Sequence, residues 1–130
     1  MLTVGDRVER TFLVTDEKIE QFGAATGDRN PVHFDDAYAA GTRFGGRIAH
    51  GMLTGGFFST VIGMELPGPG TVYVAQSLHF RAPVRPGDEV RVVVVVTDLD
   101  VPGTRAVLST DAFVGDRRVL TGEATVLVPR

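Results

Sequence analysis

The sequence predicts an α+β domain in which short helices precede an antiparallel β-sheet. Between residues 15 and 66, capping residues and glycine ends are typical of helices. From residue 71 onward, the pattern changes to β-branched runs separated by glycine-containing turns. A chain of 130 residues with 43% hydrophobic residues can bury one core without disulfides. We therefore expect a single domain over residues 1–130.

The first half of the chain is predicted to begin with a short strand and a helix. One side of that strand is apolar, and its residues are Val8, Phe12 and Val14. Thr15 is a typical helix N-cap, and the two acidic residues after it favour a helix start through the helix dipole. Gly27 is expected to end the helix, because glycine readily adopts the left-handed conformation.

Residues 27–34 are predicted to be a loop, since Asn30-Pro31 is typical of a turn. A short helix over residues 35–40 follows. A longer apolar helix is expected to begin near His50-Gly51 and to end at the prolines of residues 67–70. Its apolar stretch approaches the length of a membrane span, but polar residues and four glycines favour a buried helix, so we predict no membrane association.

The second half of the chain is predicted to form an antiparallel meander. Alternating residue character predicts one strand from residue 72 to residue 82. The later strands are expected over residues 90–96, 106–114 and 119–128, with turns at 85–88, 102–103 and 115–116. Packing of the apolar helix against this sheet would close the core.

Composition excludes several classes of function. The net charge is −3 and there is no basic run, which argues against nucleic-acid binding. The chain has no cysteine, so disulfides, thiolate catalysis and cysteine-based metal sites are excluded. The N-terminus lacks the apolar segment of a signal peptide, and we expect a cytoplasmic protein.

Asp28 and His33 are the strongest candidates for catalysis. They lie five positions apart, and the Asn30-Pro31 bend can turn both side chains toward one point, as general acid–base catalysis requires. The alternative is structural: Asp28 would satisfy a helix end, and the bend would be an ordinary turn. Among the other histidines, His79 is predicted to lie on the surface and His50 to have a capping or packing role.

No cofactor or metal site is predicted. The acidic residues and histidines lack standard metal-ligand spacing, and no glycine-rich phosphate loop follows a strand. Ser59 lacks the Gly-x-Ser-x-Gly context of a nucleophile.

Two segments together resemble the signature of the MaoC-like dehydratases, the family that contains the (R)-specific enoyl-CoA hydratases. They are Thr-Gly-Asp-Arg-Asn-Pro-Val-His at residues 26–33 and Ile-Ala-His-Gly-Met-Leu at residues 48–53. Residues 76–84 and 86–88 resemble a strand and turn of the same family, and the similarity covers about residues 5–128. The resemblance implies a hot-dog fold, in which an antiparallel sheet wraps a long central helix, and a homodimer.

The resemblance also implies a hydro-lyase of fatty-acid metabolism that acts without a cofactor on a 2-enoyl thioester of coenzyme A or acyl carrier protein. Asp28 and His33 would hold the water for syn addition, giving an (R)-3-hydroxyacyl product. Their acid and base roles are left open, because a coupled pair titrates as a unit. Asn30 matches the polar helper of the family, and the backbone N–H of Gly51 matches the donor to the thioester oxygen.

Three further residues are candidates for substrate binding. Ser59 matches a serine of relatives that contacts a catalytic side chain, whereas Met52 and Phe57 would line an acyl tunnel or belong to the core. The alternative functions are a hot-dog thioesterase, a non-catalytic acyl-CoA-binding domain, and one half of a heteromeric dehydratase. The thioesterase is disfavoured because the central helix carries no carboxylate between residues 51 and 64.

Overall fold

The computed structural model describes residues 1–129, so the last residue of the predicted domain lies outside the described residues. In chain order, the helices and strands are β1 (Arg7–Leu13), α1 (Asp16–Thr26), α2 (Pro31–Phe34), α3 (Asp36–Ala40), α4 (Gly51–Met64), β2 (Val72–Gln76), β3 (His79–Phe80), β4 (Glu89–Leu99), β5 (Arg105–Val114) and β6 (Arg117–Leu127).

The strands form one antiparallel sheet with the order β1-β4-β5-β6-β2, and β3 also pairs with β6. Strands β4, β5 and β6 are the predicted meander. In β4, alternate valines are fully buried because successive side chains point to opposite faces of a strand; they are Val90, Val92, Val94 and Val96. One face of the sheet therefore carries the core, and β1 and β2 form its two edges.

Helix α4 packs against β1 and β4. The ring of Phe57 stacks on the ring of Phe12 in β1, with centroids 4.4 Å apart. Phe58 is fully buried and belongs to the same core cluster as the valines of β4. This arrangement of a sheet and a central helix confirms the predicted fold. Across residues 1–129, no helix combines the length and the apolar character needed to cross a bilayer.

Both ends of α1 are as predicted. The Thr15 hydroxyl oxygen accepts a hydrogen bond from the Lys18 N–H at 3.1 Å, which satisfies one of the free donors at the helix start. Gly27 ends the helix in the left-handed conformation with φ of 80°. Local capping therefore sets where the segment with Asp28 begins.

The loop prediction for residues 27–34 was wrong over Pro31–Phe34, which form the one-turn helix α2. The Asn30 side-chain oxygen accepts from the Val32 N–H at 3.4 Å and so caps this turn. Pro31 occupies its first position, where the missing N–H costs nothing. His33 consequently lies on a short helix.

The single strand predicted over residues 72–82 was also wrong. It is divided into β2 and β3, and β2 has an irregular register between Tyr73 and Ala75. At the break, the Ser77 carbonyl lies against Gly122 of β6, so closely that a methyl group on Gly122 would overlap it. Alternation in sequence could not reveal this break, because it depends on a contact with a distant strand.

Candidate active site

The candidate site lies where the end of α1, helix α2 and the beginning of α4 meet. These elements line an open cavity of about 340 Å³. Its walls are formed by Phe22, Thr26, Asp28, His33, His50, Gly51 and Met52. The structure therefore brings together both predicted catalytic side chains and the predicted glycine donor.

The position of Asp28 is set by its own loop. Its N–H donates to the Thr26 hydroxyl oxygen at 3.2 Å, and its side-chain oxygen accepts from the Asn30 N–H at 3.1 Å. The carboxylate remains exposed to solvent at the cavity. Asn30 itself uses its side-chain oxygen to cap α2, so within this chain it shapes the loop. Its expected role as a polar helper that orients the catalytic pair or the water stays a prediction.

The chemical state of His33 follows from one hydrogen bond. Its Nδ1 lies 2.8 Å from the Ile48 carbonyl oxygen, and a carbonyl can only accept, so Nδ1 carries the proton. Nε2 therefore holds the lone pair. Burial lowers the pKa of His33 below its ordinary value, and the nearby His50 lowers it further. The hydrogen bond to the Ile48 carbonyl and the charge of Asp28 act in the opposite direction and raise this pKa, but they do not outweigh burial. The lowered pKa of His33 favours a neutral ring, which can accept a proton at Nε2.

His50 contributes to the site more than its sequence suggested. It occupies the N-cap position of α4 without a side-chain cap hydrogen bond, so the predicted capping or packing role is met by packing. Its ring is 2% exposed, and its centroid lies 4.0 Å from that of His33 and 4.7 Å from that of Phe22. Its Nε2–H donates to the Asp28 carbonyl oxygen at 3.1 Å. His50 thereby connects the start of α4 with both candidate catalytic residues.

Asp28, His33 and His50 are also the residues that could hold a metal ion. One potential ligand atom from each lies within 4.8 Å of the others, and two imidazoles with a carboxylate suit a transition metal. Each ring already donates one N–H to a backbone carbonyl, which leaves one nitrogen per ring. No metal was predicted, since the spacing of these residues matches no standard motif; only the fold brings His50 to the pair.

Gly51 begins α4, where N–H groups have no acceptor within the helix and the helix dipole favours negative charge. A Cβ atom on Gly51 would lie 2.5 Å from a ring carbon of Phe80, so glycine permits the close approach of that ring. Gly51 also lies in the wall of a second cavity of about 320 Å³. Gly51 therefore lies in the walls of both cavities.

The three predicted substrate-binding residues have different surroundings. Met52 lines the cavity with Asp28 and is largely exposed. Phe57 is buried against Phe12 in the core, and Ser59 is exposed two turns along α4 from Met52. Neither Phe57 nor Ser59 is among the residues that line the cavity with Asp28. Their roles in substrate binding stay predictions.

Two arginines hold the segment between α3 and α4, and sequence reasoning missed both. The Arg85 guanidinium donates to the carbonyl oxygens of Phe44 and Gly46, at 2.5 Å and 3.1 Å. Arg47 is paired with Asp36 at 2.8 Å. These contacts position the chain that leads into His50 and Gly51. No sequence pattern marks them, because the partners of Arg85 are backbone atoms about forty positions away.

Comparison with known proteins shows the family and the fold. The family model described as MaoC like domain matches residues 3–112. A 3-hydroxybutyryl-CoA dehydratase of Methylorubrum extorquens is 50% identical over 90% of this chain and 74% of the relative. An (R)-specific enoyl-CoA hydratase of Rhodospirillum rubrum is 49% identical over 89% of this chain and 81% of the relative. The solved (R)-hydratase from A. caviae, involved in PHA biosynthesis, has a TM-score of 0.95 and 41% identity, with 98% of both chains covered.

Proposed function

Since this chain belongs to the MaoC-like dehydratase family, we propose that it is a single-domain hydro-lyase that adds water to trans-2-enoyl-CoA thioesters. In the reverse direction it would dehydrate (R)-3-hydroxyacyl thioesters. The observation that carries the proposal is the cavity in which Asp28 and His33 meet the first residue of α4. The activities named for its relatives support the reaction and the coenzyme A thioester, and acyl carrier protein is the alternative carrier.

The proposed reaction uses the two side chains as a pair. Water is held between the Asp28 carboxylate and His33 Nε2, and the pair removes one proton as the water oxygen bonds to C3. The C2–C3 double bond supplies the electrons that form an enolate, and the pair then returns a proton to C2. Because both additions occur on the face of the double bond that meets Asp28 and His33, the addition is syn. The (R) configuration of the product is proposed from the (R)-specificity named for the relatives.

The enolate oxygen needs a hydrogen-bond donor. The N–H of Gly51 is suited to this role, since it is a first-turn amide at the positive end of a helix of 14 residues. One such donor is typically worth ~3 kcal/mol of transition-state stabilisation. The thioester already polarises the double bond, so this chemistry requires neither a metal nor a redox cofactor.

The direct test is the loss of enoyl-thioester absorbance with crotonyl-CoA, run together with a free-thiol assay. We expect the absorbance to fall, no thiol to appear, and chiral analysis to give only (R)-3-hydroxybutyryl-CoA. Release of thiol would instead identify a thioesterase. Binding of crotonyl-CoA and of longer enoyl-CoA thioesters without either change would support a non-catalytic binding domain and overturn the proposal.

A homodimer is part of the proposed function. Strand β2 lies at one edge of the sheet, where unpaired backbone N–H and C=O groups can hydrogen-bond with a strand of another chain. Large apolar side chains are exposed on or near this edge and on α4: Val72, Val74, Phe80, Met52 and Met64. Pairing of two β2 edges would cover much of this apolar surface.

A cytoplasmic location also belongs to the proposal, since a chain without cysteine does not depend on an oxidising compartment.

Val74→Lys is expected to convert the dimer into a monomer, because it places a charge on the proposed interface. The matched control is Leu13→Lys on the opposite edge strand β1, since Val74 and Leu13 are each 48% exposed. Sedimentation equilibrium should give a dimer for the parent and for Leu13→Lys. A monomeric parent, or a dimeric Val74→Lys variant, would contradict the proposed edge.

A further inference from the structure

The second cavity, of about 320 Å³, lies beside the start of α4. Its walls include the apolar side chains of Phe80, Val84 and Leu120 together with Gly51 and Thr54 of the helix. The lining also includes Arg43 and Arg81, and on the helix side Thr54 is the residue with a polar side chain.

The Thr54 hydroxyl has no hydrogen-bond partner within residues 1–129, although the residue is only 2% exposed. A threonine in a helix ordinarily donates to the carbonyl four positions earlier, as Thr60 of the same helix does to Gly56 at 3.3 Å. For Thr54 that carbonyl belongs to His50. It accepts from the Leu53 N–H at 3.1 Å and makes no hydrogen bond with the Thr54 hydroxyl. A buried hydroxyl without a partner is unfavourable, so the Thr54 hydroxyl retains an unused donor.

The position of Thr54 places its hydroxyl near the start of the helix. Thr54 follows Gly51 by three positions, so the two residues share one face of α4. Side chains in a helix lean toward its N-terminus, which directs the Thr54 side chain over the turn that begins at Gly51. Both residues line the same cavity, and Gly51 also faces the cavity with Asp28 and His33.

We propose that the Thr54 hydroxyl is a second hydrogen-bond donor to the thioester oxygen, acting beside the Gly51 N–H. This inference rests on the hydratase function proposed above. In an enoyl thioester, C3 and the carbonyl carbon are two bonds apart. C3 can therefore face Asp28 and His33 while the carbonyl oxygen faces Gly51 and Thr54. Thr54 keeps its proton throughout, and its hydrogen bond strengthens as charge develops on the oxygen.

The test compares Thr54→Val, which removes the hydroxyl at similar volume, with Thr54→Ser, which retains it. With crotonyl-CoA, Thr54→Val is expected to lower kcat about 10²-fold with little change in KM, and Thr54→Ser to keep most of the parent kcat. The Tm of Thr54→Val should equal or exceed that of the parent, because a buried hydroxyl without a partner is removed. A merely structural role would instead lower the Tm.

The control is Thr60→Val, which removes the hydroxyl already bonded within α4 and should leave kcat unchanged. If Thr54→Val keeps the parental kcat, or if Thr54→Ser loses as much kcat as Thr54→Val, the proposed role of Thr54 is overturned. A change confined to KM would overturn that role as well. The proposed hydratase function would be unaffected. If the parent chain does not hydrate crotonyl-CoA or longer enoyl-CoA thioesters, the hydratase proposal fails, and the Thr54 inference fails with it.

Discussion

Asp28→Asn is expected to lower kcat for crotonyl-CoA hydration by about 10²- to 10⁴-fold, the range typical of general acid–base catalysis. The amide retains the shape of the carboxylate but cannot exchange a proton with the water between it and His33 Nε2. His33→Ala should cause a loss of similar size. The double variant should be little worse than either single variant, because the two side chains act on the same proton transfers.

The control for this series is Asp116→Asn, which changes an exposed carboxylate in the turn between β5 and β6 and should retain the parent kcat. Circular dichroism and sedimentation should show that all variants keep the fold and the oligomeric state of the parent. Parental activity in a folded Asp28→Asn variant would refute the proposed mechanism. It would leave the fold and the family membership untouched.

Gly122→Ala is expected to destabilise the chain by about 1–3 kcal/mol, the usual effect of forcing an extra methyl group into a packed site. The added Cβ atom would overlap the Ser77 carbonyl, which is backbone and cannot move aside as a flexible side chain can. To relieve the overlap, β6 or the segment between β2 and β3 would have to move. The measurement is the free energy of unfolding in urea, at one protein concentration for all variants.

Gly56→Ala is the matched control for this substitution. A Cβ atom on Gly56 would meet nothing within 4 Å, and alanine is favoured over glycine inside a helix by roughly 0.5–1 kcal/mol. Gly56→Ala should therefore stabilise the chain while Gly122→Ala destabilises it. Equal stability of Gly122→Ala and the parent would show that the close approach of Ser77 to β6 is not required.

The pairing of Asp28 with His33 could be predicted because the two residues are close in sequence. A helix that ends at Gly27 and a bend at Asn30-Pro31 suffice to bring them near each other. The presence of His50 in the same cavity could not be predicted in this way. Its ring reaches His33 only because the start of α4 packs against α1 and α2.

The sequence by itself determined the order of the elements, most of their ends and the candidate catalytic pair. These features depend on capping, on the fixed φ of proline and on alternation, and each involves residues only a few positions apart. The tertiary structure decided where β2 breaks from β3, which polar groups are buried without partners, and which side chains line each cavity. Those features depend on contacts between residues that are distant in sequence, such as Ser77 with Gly122 and Gly51 with Phe80. Burial and hydrogen bonding are properties of packed neighbours, and local sequence patterns carry no information about which distant neighbours will meet.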